Sequence, residues 1–181
     1  MKLFACMLFL CLAWNAESQD QHWVGTLQTK SQPPSPIRFD FYQETGVVFA
    51  PSEKLIKTTM VNLKREGSEI SFTAGNGSVN YEVHATISGN RMTGAMSSGE
   101  INLPFSLVLL APVTNSKYFG IYSISKTENI YIRTWDELGA DQLTYFDDQG
   151  NARALYATSE TSFFTGPSLM VALPKMADVT F

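Results

Sequence analysis

Short runs of alternating apolar and polar residues fill this chain from residue 23 onward, and a period of two is the pattern of strands that bury one face. The cleanest run is 79–88, where Val79, Tyr81, Val83, Ala85 and Ile87 share one face and Asn80, Glu82, His84, Thr86 and Ser88 the other. Ile37, Phe39 and Phe41 alternate with Arg38, Asp40 and Tyr42, and Ile101, Leu103, Phe105, Leu107 and Leu109 form the apolar side of a third run. Shorter runs lie at 23–28, 46–50, 58–63, 69–73 and 91–96. Gly75-Asn76-Gly77, Ser88-Gly89-Asn90 and Ser97-Ser98-Gly99 separate them with residues that take up turn conformations at little steric cost. A helix over 54–63 is the rival reading, but Thr58, Thr59 and Val61 are β-branched and no cap precedes them. The expectation is an all-β fold, an antiparallel meander curling into a small barrel or sandwich.

Ala111-Pro112-Val113-Thr114-Asn115 interrupts the rhythm. Beyond it strands are expected at 118–124, 129–135, 142–146, 152–157, 162–165, 169–173 and 178–181, with Asp147-Asp148-Gln149-Gly150-Asn151 as a hairpin turn. The chain thus divides into a leader over 1–18, a β-barrel or sandwich over 19–111, and a second small β-module over 116–181. A strand that stops at Phe181 is expected to be either terminal or the cut end of a longer protein.

The leader has the three parts of a secretory signal. Lys2 supplies the positive start, residues 3–14 are apolar, and Ala16-Glu17-Ser18 places small residues before a cut at Gln19. The apolar run is shorter than the ~20 residues of a transmembrane helix, and no later segment is long enough. Both cysteines, Cys6 and Cys11, lie inside it and would leave with it, so the mature chain has no disulfide and no thiolate. Lipidation at Cys11 is the alternative, but bulky Leu10 stands where the cleaving enzyme takes a small residue. The expected location is therefore exported, periplasmic or extracellular. Thirteen basic against seventeen acidic residues give a net charge of −4 with no basic cluster, which argues against nucleic acid as partner.

The catalytic patterns dissolve on inspection. Ser123-Ile124-Ser125-Lys126 matches the Ser-x-x-Lys of penicillin-recognising enzymes, yet falls at a strand end rather than on the helix that chemistry needs. There is no Gly-x-Ser-x-Gly elbow. The two histidines, His22 and His84, are far apart in the chain, too little for a zinc site without cysteine. Asp147 and Asp148 read as turn formers rather than an acid pair or calcium ligands. Asn76-Gly77-Ser78 fits a glycosylation sequon and a turn equally. No catalytic residue, cofactor or metal is assigned. The remaining candidates are the aromatics Trp23, Phe39, Phe41, Phe72, Tyr81 and Phe105, which either fill a barrel or line a ligand cavity within it.

Trp23-Val24-Gly25-Thr26-Leu27 resembles the W-x-G-x-L opening of secreted lipocalin-like bacterial β-domains. The segments 37–41, Gly67-Ser68-Glu69-Ile70-Ser71-Phe72, 87–94 and Phe105-Ser106-Leu107 are similar in order to the region that precedes the catalytic domain of some exported α/β-hydrolases. Leu143-Thr144-Tyr145-Phe146-Asp147-Asp148-Gln149-Gly150, Arg153-Ala154-Leu155-Tyr156 and Phe163-Phe164-Thr165-Gly166-Pro167 resemble a small β-module that accompanies exported serine hydrolases. The resemblance implies a non-catalytic accessory region, shaping substrate access or packing on a C-terminal hydrolase domain beyond Phe181. Two other readings stay open. One is a free-standing lipocalin-like carrier of a small apolar ligand, and the other is a small outer-membrane barrel.

Overall fold

A computed structural model of the protein describes residues 20–28, 33–137, 140–166 and 177–181. The leader over 1–18 and the strand expected at 169–173 lie outside the described residues. What is described is almost all strand, with two short 3-10 turns, Pro51–Glu53 and Asn115–Tyr118.

Nine strands make the first sheet: β1 (Gln21–Leu27), β2 (Ser35–Tyr42), β3 (Thr45–Ala50), β4 (Leu55–Thr59), β5 (Val61–Glu66), β6 (Glu69–Gly75), β7 (Asn80–Ser88), β8 (Arg91–Ser98) and β9 (Ile101–Leu109). Their spatial order is β4-β3-β2-β1-β9-β8-β7-β6-β5, antiparallel throughout. The first and last strands pair with each other, which rolls the meander into a nearly closed barrel. The opening falls between β4 and β5, two strands that follow one another in the chain.

That opening corrects one expectation. The run 58–63 is not a single strand but breaks at Met60 into the two free edges of the sheet. The backbone explains the break. Lys57 and Asn62 take positive φ, 51° and 55°, and the pairing of each edge slips, between Val48 and Ala50 and between Val61 and Lys64. Bulges of this kind bend a strand and end its ladder. Met60 closes the seam from within: its amide donates to the Gly46 carbonyl at 2.8 Å, and its side chain is buried. A Cβ on Gly46 would meet the Met60 sulfur at 2.6 Å and the Asp40 carbonyl oxygen at 2.8 Å, so only glycine fits there. From the β5 edge, the Arg65 guanidinium covers the Phe41 ring at 4.6 Å.

The barrel interior holds the alternating apolar sets seen in the sequence. Phe39, fully buried, meets Phe41, Phe72 and Phe105 edge to face, with centroids 6.3, 5.3 and 5.2 Å away. Such pairs add to the stabilisation that burial alone supplies. Gly25, centre of the W-x-G-x-L opening, sits where a Cβ would come 2.0 Å from the Ser106 carbonyl oxygen of β9. The motif therefore has a structural cause: Trp23 and Leu27 fill the core while Gly25 lets β9 approach.

The second sheet is an open half-barrel in chain order: β10 (Gly120–Ser123), β11 (Asn129–Glu137), β12 (Ala140–Asp147), β13 (Ala152–Ala157), β14 (Ser162–Gly166) and β15 (Ala177–Thr180). Tyr118, expected in a strand, instead belongs to the 3-10 turn before β10, and its ring fills the concave side with Ile132, Leu143, Leu155 and Phe163. The two sheets meet on their outer faces, Val24, Val108 and Leu110 against Ala154, Tyr156 and Phe164. The connecting segment ties both: the Leu110 amide donates to the His22 carbonyl at 2.8 Å, and the Ala111 amide to the Ala157 carbonyl at 2.9 Å.

Candidate functional site

Where the sheets join, the outward residues of β1 and β2 come together. His22 and Asp40 are register partners, and Arg38 lies two residues from Asp40 on the same face. The Asp40 side chain is only 3% exposed. Its carboxylate accepts from Arg38 Nε at 2.8 and 3.0 Å and from His22 Nδ1 at 2.6 Å. Because a carboxylate only accepts, the bridging proton is assigned to Nδ1. The Arg38 charge is what makes a buried aspartate tolerable here. Tyr42 stands edge-on to His22 at 6.1 Å, and burial, helped by the Asp40 charge, pushes its hydroxyl above the ordinary tyrosine pKa.

His22 and Arg38 line a cleft of about 590 Å³, together with Asp20, the connecting segment 110–115, Gln142 and Tyr156. A histidine aligned by a buried carboxylate is the base half of a hydrolytic triad. Among the described residues, the hydroxyls lining this cleft are those of Thr114 and Tyr156, and no serine or cysteine lines it. Gln142 is committed, its Nε2 donating to the carbonyls of Leu143 at 3.1 Å and Leu155 at 2.8 Å. The cleft can orient a ligand and exchange a proton at His22. Among the described residues, no group of three His, Cys, Asp or Glu side chains is placed to hold a metal ion.

The six aromatics singled out in the sequence all lie in the barrel core. Phe39, Phe41, Phe72 and Phe105 form the edge-to-face cluster, and Trp23 is 1% exposed. Tyr81 donates to Glu53 Oε2 at 2.6 Å in a shallow cleft beside Asn76 and Lys54. Burial first, and then that bond, push its pKa up to about 12. The other patterns are placed in turns and surfaces. Ser123 ends β10 with its hydroxyl donating to Asn129 Oδ1 at 2.8 Å, and His84 is exposed on β7. Asp147 accepts from Asn151 Nδ2 at 2.7 Å and from two turn amides, which holds its carboxyl below the usual range. The Asn76 amide donates to the Glu53 carbonyl at 2.9 Å while its oxygen accepts from Ser78 and Val79, so the sequon nitrogen is engaged in the fold.

The His22–Asp40–Arg38 group escaped the sequence reading. Arg38 and Asp40 were visible as the polar side of their run and His22 as one of two histidines, but pairing them needs the β1–β2 register, which no turn motif fixes. No protein-family model matches this chain, and neither does any curated protein or solved structure.

Proposed function

We propose that this chain is a non-catalytic β-region of an exported hydrolase, which packs on the catalytic domain and shapes access to it. The observation that carries this reading is the unequal finish of the two sheets. The barrel encloses its own aromatic core, whereas the half-barrel leaves an apolar groove of about 620 Å³ floored by Tyr118, Tyr122, Ile130, Val179 and Phe181. Ile124, which lines the groove, is 59% exposed. An apolar surface of this kind on a folded module suits a permanent neighbour. The carrier reading has less to draw on, because the aromatic side chains it would use are packed against each other. The outer-membrane reading is opposed by β7, whose outward residues Asn80, Glu82, His84, Thr86 and Ser88 are polar where lipid would require an apolar band.

The gene tests the proposal. Sequence read past codon 181 should continue in frame into a hydrolase domain bearing Gly-x-Ser-x-Gly, and protein isolated from the producing cell should begin at Gln19. A stop codon after Phe181 with no hydrolase gene alongside would overturn it.

A further inference from the structure

The outer face of β11 and β12 carries a feature that neither the groove nor the cleft explains. Tyr131, Arg133 and Trp135 share this face of β11, and Tyr131 pairs in register with Phe146 of β12. Ile132 and Leu143 point the other way, into the half-barrel core. Trp135 is 52% exposed and Tyr131 39%. Leaving an indole half in water forgoes much of the stabilisation its burial would bring.

These side chains are held in place. The Arg133 guanidinium lies 4.5 Å from the Phe146 ring centroid and 5.9 Å from that of Trp135, and the two rings are 5.5 Å apart. The Asp148 carboxylate, anchored by the Asn129 amide at 2.9 Å, pushes the Tyr131 hydroxyl above the ordinary tyrosine pKa. Rigid aromatics on paired strands form a surface that loses little freedom on binding.

We infer that this face is an oligosaccharide-binding platform, on which pyranose rings lie against Trp135 and Tyr131, with Arg133 seated over Phe146 between them. The chemistry of the patch selects that ligand. A pyranose has C–H faces that carry partial positive charge and suit the electron-rich face of an aromatic ring, and its rim of hydroxyls needs donors and acceptors. Arg133 supplies fixed donors and Asp148 acceptors beside the rings. Tyr131 and Trp135 are four residues apart on one strand, about 13 Å, so the platform is longer than one sugar and favours a short chain of them. Along β11 this face alternates aromatic and charged residues, whereas the groove on the other side is floored by Tyr122, Ile130 and Val179. The inference does not depend on the hydrolase reading.

The test uses the mature chain with cellohexaose, xylohexaose, chitohexaose and maltohexaose, followed by intrinsic fluorescence and calorimetry. Of the two tryptophans in the mature chain, Trp23 is 1% and Trp135 52% exposed, so a change in emission on binding reports on Trp135. At least one hexasaccharide should shift the emission and bind with a Kd between the micromolar and millimolar range. Trp135→Ala and Tyr131→Ala should each weaken binding by about tenfold or more, with circular dichroism unchanged, while Ile124→Ser, in the groove, leaves it alone. Absence of binding to all four sugars, or binding that survives Trp135→Ala, overturns the inference. If no sugar binds and Trp135→Ala changes the molar mass seen by light scattering, the face is a protein interface instead.

Discussion

The barrel and the half-barrel are built from the same alternating strands, yet they end in opposite conditions. In the barrel, β1 pairs with β9, the one gap is plugged by Met60, and the aromatic rings meet at the centre. In the second sheet, β10 and β15 remain edges. Phe181 reaches Tyr118, Tyr122 and Phe163 at 5.1–5.3 Å, so rings rather than hydrogen bonds span the space between those edges. Closure decides where large side chains go. A sheet that closes turns its aromatics inward, and one that stays open leaves some of them on its surface. On the proposed reading the first region serves as scaffold and the second presents surfaces to other molecules.

Substitutions can break or sharpen this contrast. Phe39→Ala removes the ring at the centre of the barrel cluster and should cost about 4 kcal/mol, read as a lower urea midpoint for the whole chain. Next in size is Asp40→Ala, which strands the nearly buried Arg38 charge where the two sheets meet. A loss of about 3 kcal/mol is expected, and a double-mutant cycle with Arg38 should show the two changes to be strongly coupled.

A smaller effect is expected from pH. The folded-state pKa of Tyr81 is raised from 10.0 to about 12, so its stabilisation is complete below pH 10 and is lost as the pH climbs through about 12. Burial also raises Tyr42 and Tyr145, which steepens the alkaline loss. Ultraviolet titration of the phenols should find Tyr81 ionising late, and Glu53→Gln should bring it earlier without returning it to the ordinary value, because burial is the larger cause. The smallest effect belongs to the open sheet. Ile121→Ser, on a residue 68% exposed, should change stability by less than about 0.5 kcal/mol and should raise solubility.

The strands were legible because period-two patterning survives wherever one face is buried, as in 79–88 and Ile101–Leu109. The W-x-G-x-L run was visible as a motif, but its cause, the approach of β9 to Gly25, lies about eighty residues away in the chain. The break at Met60 was hidden, since the positive φ angles that create it fall on Lys57 and Asn62 rather than on glycine. The candidate sites were less legible still. The aromatics of the sequence reading stood out because they alternate strongly, and strong alternation marks the core. Trp135 and Arg133 show the opposite property: they lie on the outer face of β11, away from the core residues Ile132 and Leu143, where alternation does not single them out.

The claim at the centre of this account is that the barrel is filled and that recognition takes place on the second sheet. The direct measurement is a backbone-amide NMR titration of the chain from Gln19 onward, first with the hexasaccharides and then with a long-chain fatty acid as an apolar barrel ligand. Shifts on addition of sugar should cluster on β11 and β12, and the fatty acid should leave the amides of Phe39, Phe72 and Phe105 where they were. Fatty-acid shifts concentrated at those three residues would show a hollow barrel and contradict the account.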